Sequence, residues 1–153
     1  MTKREEFSAA LKEAMKNKDQ VTLSTVRLIQ AALKDKDINA RGTGNPDGIT
    51  EPEILSMLQS MVKQRIESAK TYRDAGRPEL AEREEAEIKI IESFLPKQMG
   101  DDEAAAAIED VIKDIGAADI KDMGKVMNEL KARYAGQMDF GKAGGTVKQK
   151  LSA

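Results

Sequence analysis

Residues 50–76 read TEPEILSMLQSMVKQRIESAKTYRDAG, and this stretch decides the fold class. Ile54, Leu55, Leu58, Met61, Val62, Ile66, Ala69 and Tyr72 recur at helical spacing, with mostly polar residues between them. Thr50 and Glu53 form a capping-box pattern, in which the hydroxyl accepts from the amide three residues on and the carboxylate reaches back. Pro52 is tolerated in the first turn because its missing N–H would find no helical partner there. Gly76 can supply a left-handed terminator. The spacing therefore predicts the longest helix of the chain, from Thr50 to Ala75.

Upstream, Phe7, Leu11, Ala14 and Met15 mark an amphipathic helix over residues 3–17. Val21, Leu23, Val26, Leu28, Ile29, Ala32 and Leu33 mark a second, running toward Ile38. Asn39 to Gly48 holds three Gly, one Pro, two Asn and one Asp, and reads as a loop. Downstream, Pro78 restarts a helix whose apolar residues Leu80, Ala81, Ile88, Ile91 and Leu95 continue to Leu95-Pro96, where the second proline disfavours helical geometry. Pro96-Lys97-Gln98-Met99-Gly100 is the candidate domain boundary.

Three smaller helices follow. The first has Asp101 or Asp102 as N-cap and Gly116 as terminator; the second has Asp119 and Gly136 in those roles. In the third, Asp139 can cap, and Phe140, Val147 and Leu151 share a face, but each of Gly144 and Gly145 costs about 1 kcal/mol against Ala inside a helix. Either tertiary contacts hold that segment or a partner's close approach needs the glycines. No stretch alternates like a strand, and aromatic content is 3%. The expectation is an all-α protein, with a four-helix domain over residues 1–96 and a compact three-helix domain over residues 97–153.

Composition excludes whole classes of chemistry. The 153 residues contain no Cys, His or Trp, which removes Ser-His-Asp and Cys-His hydrolases, disulfides, and the usual zinc and iron–sulfur ligand sets. Glu84 and Glu87 share a helix face at i, i+3, but inter-helix ion pairs with Arg27, Arg65 or Arg73 account for them better than a metal site. The Gly-rich segment Arg41 to Gly48 lacks the Gly-Lys-Ser/Thr ending of a phosphate-binding loop. No catalytic residue, metal or cofactor is expected. No apolar run approaches the roughly 20 residues of a spanning helix, and MTKREEFSAALKEAMKNKDQ at the start does not read as a secretory signal. These features lead to the expectation of a cytoplasmic protein without membrane partners.

The net charge of −2 divides unevenly. Residues 1–100 balance 17 basic against 17 acidic groups; residues 101–120 hold one Lys against seven acids, and residues 121–153 hold seven cations against three acids, for 0, −6 and +4. Lys121, Lys125, Lys131, Arg133, Lys142 and Lys148 leave the apolar stripes of the last two helices and are the candidate RNA-binding residues, with Lys150 nearby. Gly124 lies within this stretch, where a helix-interior glycine invites a reason such as a close backbone approach. Aromatics are scarce around the lysines, so contact with RNA shape and backbone is expected rather than reading of unstacked bases. The competing account is dipole complementarity, with acids opening one helix and lysines solvating the next.

Together the segments Leu23-Ser-Thr-Val-Arg-Leu28, Val62-Lys-Gln-Arg-Ile-Glu-Ser68, Tyr72-Arg-Asp-Ala-Gly-Arg77, Glu84-Glu-Ala-Glu-Ile88, Phe94-Leu-Pro96 and Lys121-Asp-Met-Gly-Lys-Val-Met127 resemble the YqeY family, also called GatB/YqeY domain proteins. The resemblance covers essentially the whole chain. It implies an all-helical fold whose last part is similar to the tail domain of the B subunit of the aspartyl/glutamyl-tRNA amidotransferase. Gly124, Lys125, Val126, Met127, Lys131, Gly136 and Asp139 map onto the tail motif; Gly144-Gly145 departs from its bulkier last helix.

The implied function is tRNA contact, alone or beside amidotransferase or other tRNA-processing proteins. The family label is carbon–nitrogen ligase with glutamine as amido-N-donor, yet the resemblance carries no catalytic residue onto this chain. The alternative is a protein-interaction scaffold built on the Arg/Glu-rich helices of residues 1–95.

Overall fold

The computed structural model describes residues 1–152. Among them it contains no strand; the elements are α1 (Lys3–Lys16), α2 (Gln20–Gly42), α3 (Glu51–Asp74), α4 (Pro78–Glu92), α5 (Asp101–Ile115), a 3₁₀ turn (Ile120–Asp122), α6 (Met123–Tyr134) and α7 (Phe140–Ser152). The all-α expectation holds. The chain forms two compact units, Met1–Pro96 and Lys97–Ala153.

Local chemistry starts most of these helices. The Thr2 hydroxyl accepts from Glu5 N at 3.2 Å, and the Asp19 carboxylate accepts from Thr22 N at 3.1 Å. Thr50 accepts from Glu53 N at 3.3 Å while the Glu53 carboxylate accepts from Thr50 N at 3.1 Å, so both halves of the capping box form. Gly76 and Gly116 take φ values of +72° and +73°, as left-handed residues after a helix do.

Four boundaries differ from the sequence reading. Helix α2 runs on through Asn39, Ala40 and Arg41 to Gly42. None of those three residues breaks a helix, and the Thr43 hydroxyl then closes on the carbonyls of Asn39 and Ala40. Helix α4 ends at Glu92 rather than Leu95, because Pro96 forces its predecessors into a turn in which Phe94 N and Leu95 N donate three residues back. Gly100, not Asp101 or Asp102, is the N-cap of α5; Asp101, Asp102 and Glu103 lie in its first turn and act on the helix dipole. Asp119 caps the 3₁₀ turn, not α6.

In the N-terminal unit, the fully buried Phe7 of α1 meets Phe94 edge-on, with ring centroids 5.0 Å apart and planes at 81°. Val26 and Ile29 of α2, Ile54, Leu58 and Met61 of α3, and Ile91 of α4 close the core around them. Two acids enter this interior. Asp37 accepts from Arg4 at 2.7 Å and from Ile49 N at 2.9 Å, which ties the α2–α3 loop to α1 and α2. Glu87 of α4 accepts from Arg65 Nε of α3 at 2.9 Å. Gly48, at φ +83°, faces Asp37 so closely that a Cβ would overlap the carboxylate.

The C-terminal unit packs Ala107, Ile108 and Val111 of α5 against Val126 and Leu130 of α6 and Ala143, Val147 and Leu151 of α7. Its interior holds no buried charged side chain among the described residues. Met57 and Met61 fill the first core, and Met123 and Met127 pack on the second.

Candidate nucleic-acid interface

Helix α6 is opened by the turn before it. Asp119 accepts from Lys121 N at 2.8 Å, and Asp122 accepts from Ala118 N at 2.9 Å and from Asp119 N. These two backbone donors, with Lys125 adding its charge, hold the Asp122 carboxyl below the usual carboxylate range. Because the 3₁₀ turn takes the first residues, Gly124 falls in the first turn of α6 rather than in a helix interior. Nothing stands within 4 Å of where its Cβ would be, so close helix packing does not explain it.

Helix α7 begins where Asp139 accepts from Gly141 N at 2.9 Å and from Lys142 N at 3.2 Å. The capping role assigned to Asp139 is therefore present. Both glycines sit inside the formed helix. Gly144 faces the methyl ends of Met123 and Met127 across α6, where a Cβ would make ordinary contact; at Gly145 a Cβ would meet nothing. Gly145 borders a cleft of about 680 Å³ between α5 and α7, alongside Ala105, Lys142 and Gln149.

All six candidate RNA-binding residues, Lys121, Lys125, Lys131, Arg133, Lys142 and Lys148, are exposed. They do not share one face. At 100° per residue, Lys131 and Arg133 stand about 160° apart around α6, with Lys125 about 120° from Lys131. The core stripe of Val126 and Leu130 leaves both flanks of α6 open, so its cations emerge on opposite sides.

The helices also differ in what neutralises them. Arg133 donates to Glu129 at 2.8 Å and to Asp114 of α5 at 2.9 Å, and those hydrogen bonds push its pKa above its ordinary value. Lys150 pairs with Glu109 of α5 at 2.6 Å; that hydrogen bond, reinforced by the charge of Lys150, lowers the Glu109 pKa. Among the described residues, Lys121, Lys125, Lys131, Lys142 and Lys148 make no ion pair. The acidic helix thus takes up two of the seven cations that follow it and leaves five.

Elsewhere the inter-helix pairs expected around the α4 acids form as Arg65–Glu87 and Arg73–Glu85, at 2.9 and 2.6 Å. Arg27 takes no part among the described residues, and Glu85 rather than Glu84 is the second acid. No group of three or more metal-ligating side chains occurs among the described residues. No helix among them is long and apolar enough to cross a membrane.

Comparison with known proteins supplies relatives. The chain is 29% identical over 134 residues to a protein of Pyrenophora tritici-repentis named Altered inheritance of mitochondria protein 41, mitochondrial, covering 83% of this chain and 70% of that protein. Proteins of the same name from Meyerozyma guilliermondii and Lachancea thermotolerans are 38% identical over 87 residues and 33% identical over 85. Each match covers 56% of this chain, and it spans only 42% and 43% of those two yeast proteins. The names place these relatives in mitochondria, which overturns the cytoplasmic expectation. Compartment is set by address signals rather than by a folded domain's composition, so the composition reading had no physical hold on it. The family model described as Yqey-like protein matches residues 4–151, and the chain belongs to the YqeY family.

Proposed function

We propose that this YqeY-family chain is a tRNA-associated accessory protein whose C-terminal unit holds RNA backbone through Lys121, Lys125, Lys131, Lys142 and Lys148. The observation that carries the reading is the sorting of cations over residues 121–153: Arg133 and Lys150 pair with α5 acids, while these five lysines make no ion pair among the described residues, Lys125 acting on Asp122 only through its charge. An unpaired, exposed lysine keeps its charge for a phosphate, and each phosphate neutralised releases counterions. Projection from several sides of α6 and α7 suits phosphates spread along a curved strand better than one compact anion. Arg133 leaves the proposed contact set because two carboxylates already occupy its guanidinium. Tyr134 packs against the core, which favours backbone contact over base stacking. The resemblance of this unit to an amidotransferase tail domain supports the same reading, with catalysis lying in other proteins.

Fluorescence anisotropy with labelled tRNA tests it, using total tRNA and mitochondrial tRNA as separate probes. Wild-type affinity falls with salt by a log–log slope of about −0.9 for each phosphate engaged. The double variant Lys125→Glu/Lys131→Glu, at unchanged helicity, loses about tenfold or more in affinity and has a shallower slope. Unchanged affinity sinks the proposal.

The scaffold reading rests on a different observation: Val21 and Leu28, seven residues apart on α2, are 49% and 45% exposed, and Ile66 of α3 is 55% exposed. A protein partner retained after RNase treatment, and lost on Val21→Ser/Leu28→Ser, is the result that favours it.

A further inference from the structure

The RNA reading leaves most of the chain's motifs unused, and four of them meet in one place. Leu28 closes the segment 23–28, Gln64, Arg65 and Ser68 belong to 62–68, Tyr72 opens 72–77, and Glu84 and Glu87 belong to 84–88. All line a cleft of about 390 Å³ between α2, α3 and α4, within the N-terminal unit. This lies in the small-ligand part of the roughly 300–1,000 Å³ spanned by ligand clefts.

The cleft has a fixed wall. Arg65 donates from Nε to Glu87 at 2.9 Å and from Nη1 to the Met61 carbonyl at 3.2 Å, and the Arg65 and Glu87 side chains are only 15% and 12% exposed. That pair neutralises itself. What remains is one cation, Arg83, and one anion, Glu84, neighbours on α4 that make no ion pair among the described residues. Beside them Gln64, Ser68 and Tyr72, at successive four-residue steps, form a polar line along α3. Their side chains make no hydrogen bond among the described residues, although Ser68 and Tyr72 are half-buried. No buried side-chain nitrogen or oxygen among the described residues lacks a partner, so these polar groups face water in the cleft, where a ligand can reach them. Leu28 and Leu80 supply the apolar part of the lining.

These features select a ligand by charge. A phosphate or other simple anion placed by Arg83 meets the free charge of Glu84, and a metal cation placed by Glu84 meets that of Arg83. A molecule carrying both signs on adjacent atoms satisfies the two free charges together. We infer that this cleft binds a free α-amino acid, with Arg83 on its carboxylate, Glu84 on its ammonium group and an aliphatic side chain against Leu28 and Leu80. Gln64, Ser68 and the Tyr72 hydroxyl complete the hydrogen bonds that a zwitterion leaves open. The site is independent of RNA binding.

Nitrogen-15-edited NMR of the intact chain tests this with three probes: L-leucine, L-leucine amide, which lacks the carboxylate, and N-acetyl-L-leucine, which lacks the ammonium group. L-leucine gives saturable shifts at the Ser68, Tyr72 and Glu84 amides, and both derivatives bind about tenfold more weakly or worse. Arg83→Gln removes the advantage of leucine over its amide, and Glu84→Gln removes the advantage over the acetylated form. Neither side chain makes an ion pair, so both variants keep the fold. No saturable shift with leucine up to about 20 mM, equal affinity for all three probes, or variants that bind as the wild type does each overturn the inference.

Discussion

In the N-terminal unit charged side chains enter the interior, with Asp37 and Glu87 at 8% and 9% exposure; in the C-terminal unit every ion pair described stays near the surface, around an interior of Ala, Val, Ile, Leu and Met. The Arg4–Asp37 and Arg65–Glu87 pairs tie α1 to α2 and α3 to α4, and any packing that separates them leaves a nearly enclosed carboxylate without its partner. The surface pairs can open into solvent at little cost. One unit therefore uses charge to fix the arrangement of its helices, and the other keeps its charged side chains at the surface.

The largest effects belong to the two cores. Phe7→Ala, at a fully buried ring against Phe94, is expected to cost about 4 kcal/mol, and Leu130→Ala about 3 kcal/mol, by urea denaturation followed by circular dichroism. Similar losses from such different cavities would mean that apolar packing, not polar pairing, dominates both units.

The next comparison sets one ion pair against another. Glu87→Ala leaves Arg65 nearly enclosed without its partner and is expected to cost about 2 kcal/mol, below the range for a fully buried pair because water reaches the cleft. Glu109→Gln breaks the Lys150 pair at the surface and should leave the urea midpoint unchanged. Equal responses would erase the distinction between the units.

Gly145→Ala works in the opposite direction. With open space where the Cβ goes, it should stabilise the C-terminal unit by about 0.5–1 kcal/mol. A destabilised variant would reveal a packing role for that glycine.

The smallest effect is a pH dependence. The Asp122 carboxyl is held below the usual carboxylate range, so its contribution is complete above the unfolded pKa and is lost as pH falls through the lower, folded one. Asp122→Asn keeps an acceptor for the Ala118 and Asp119 amides but removes the titration. Its thermal midpoint should fall less steeply than that of wild type below about pH 4. Parallel curves would show that other carboxylates carry the acid response.

Much of the fold was legible because its signals are local. The Thr50–Glu53 box, the Asp139 cap and the Gly116 terminator lie within a few residues of the backbone groups they serve, and each is present. The misplaced boundaries came where local preference was weak, as over Asn39 to Arg41, or where a 3₁₀ turn took the cap, as at Asp119. The basic segment was legible as composition, but its division into two paired and five unpaired cations was not. Arg133 finds Asp114 nineteen residues away, and Lys150 finds Glu109 forty-one away.

The sequence by itself determined that this chain is helical, where its apolar stripes run, and that it resembles the YqeY family, because periodicity, caps and motif residues are written over one or a few turns. Tertiary structure alone decided which lysines stay free and that Gln64, Ser68 and Tyr72 of α3 face Arg83 and Glu84 of α4 across one cleft. Those outcomes depend on the rotation and register of packed helices, set by core side chains far apart in the chain.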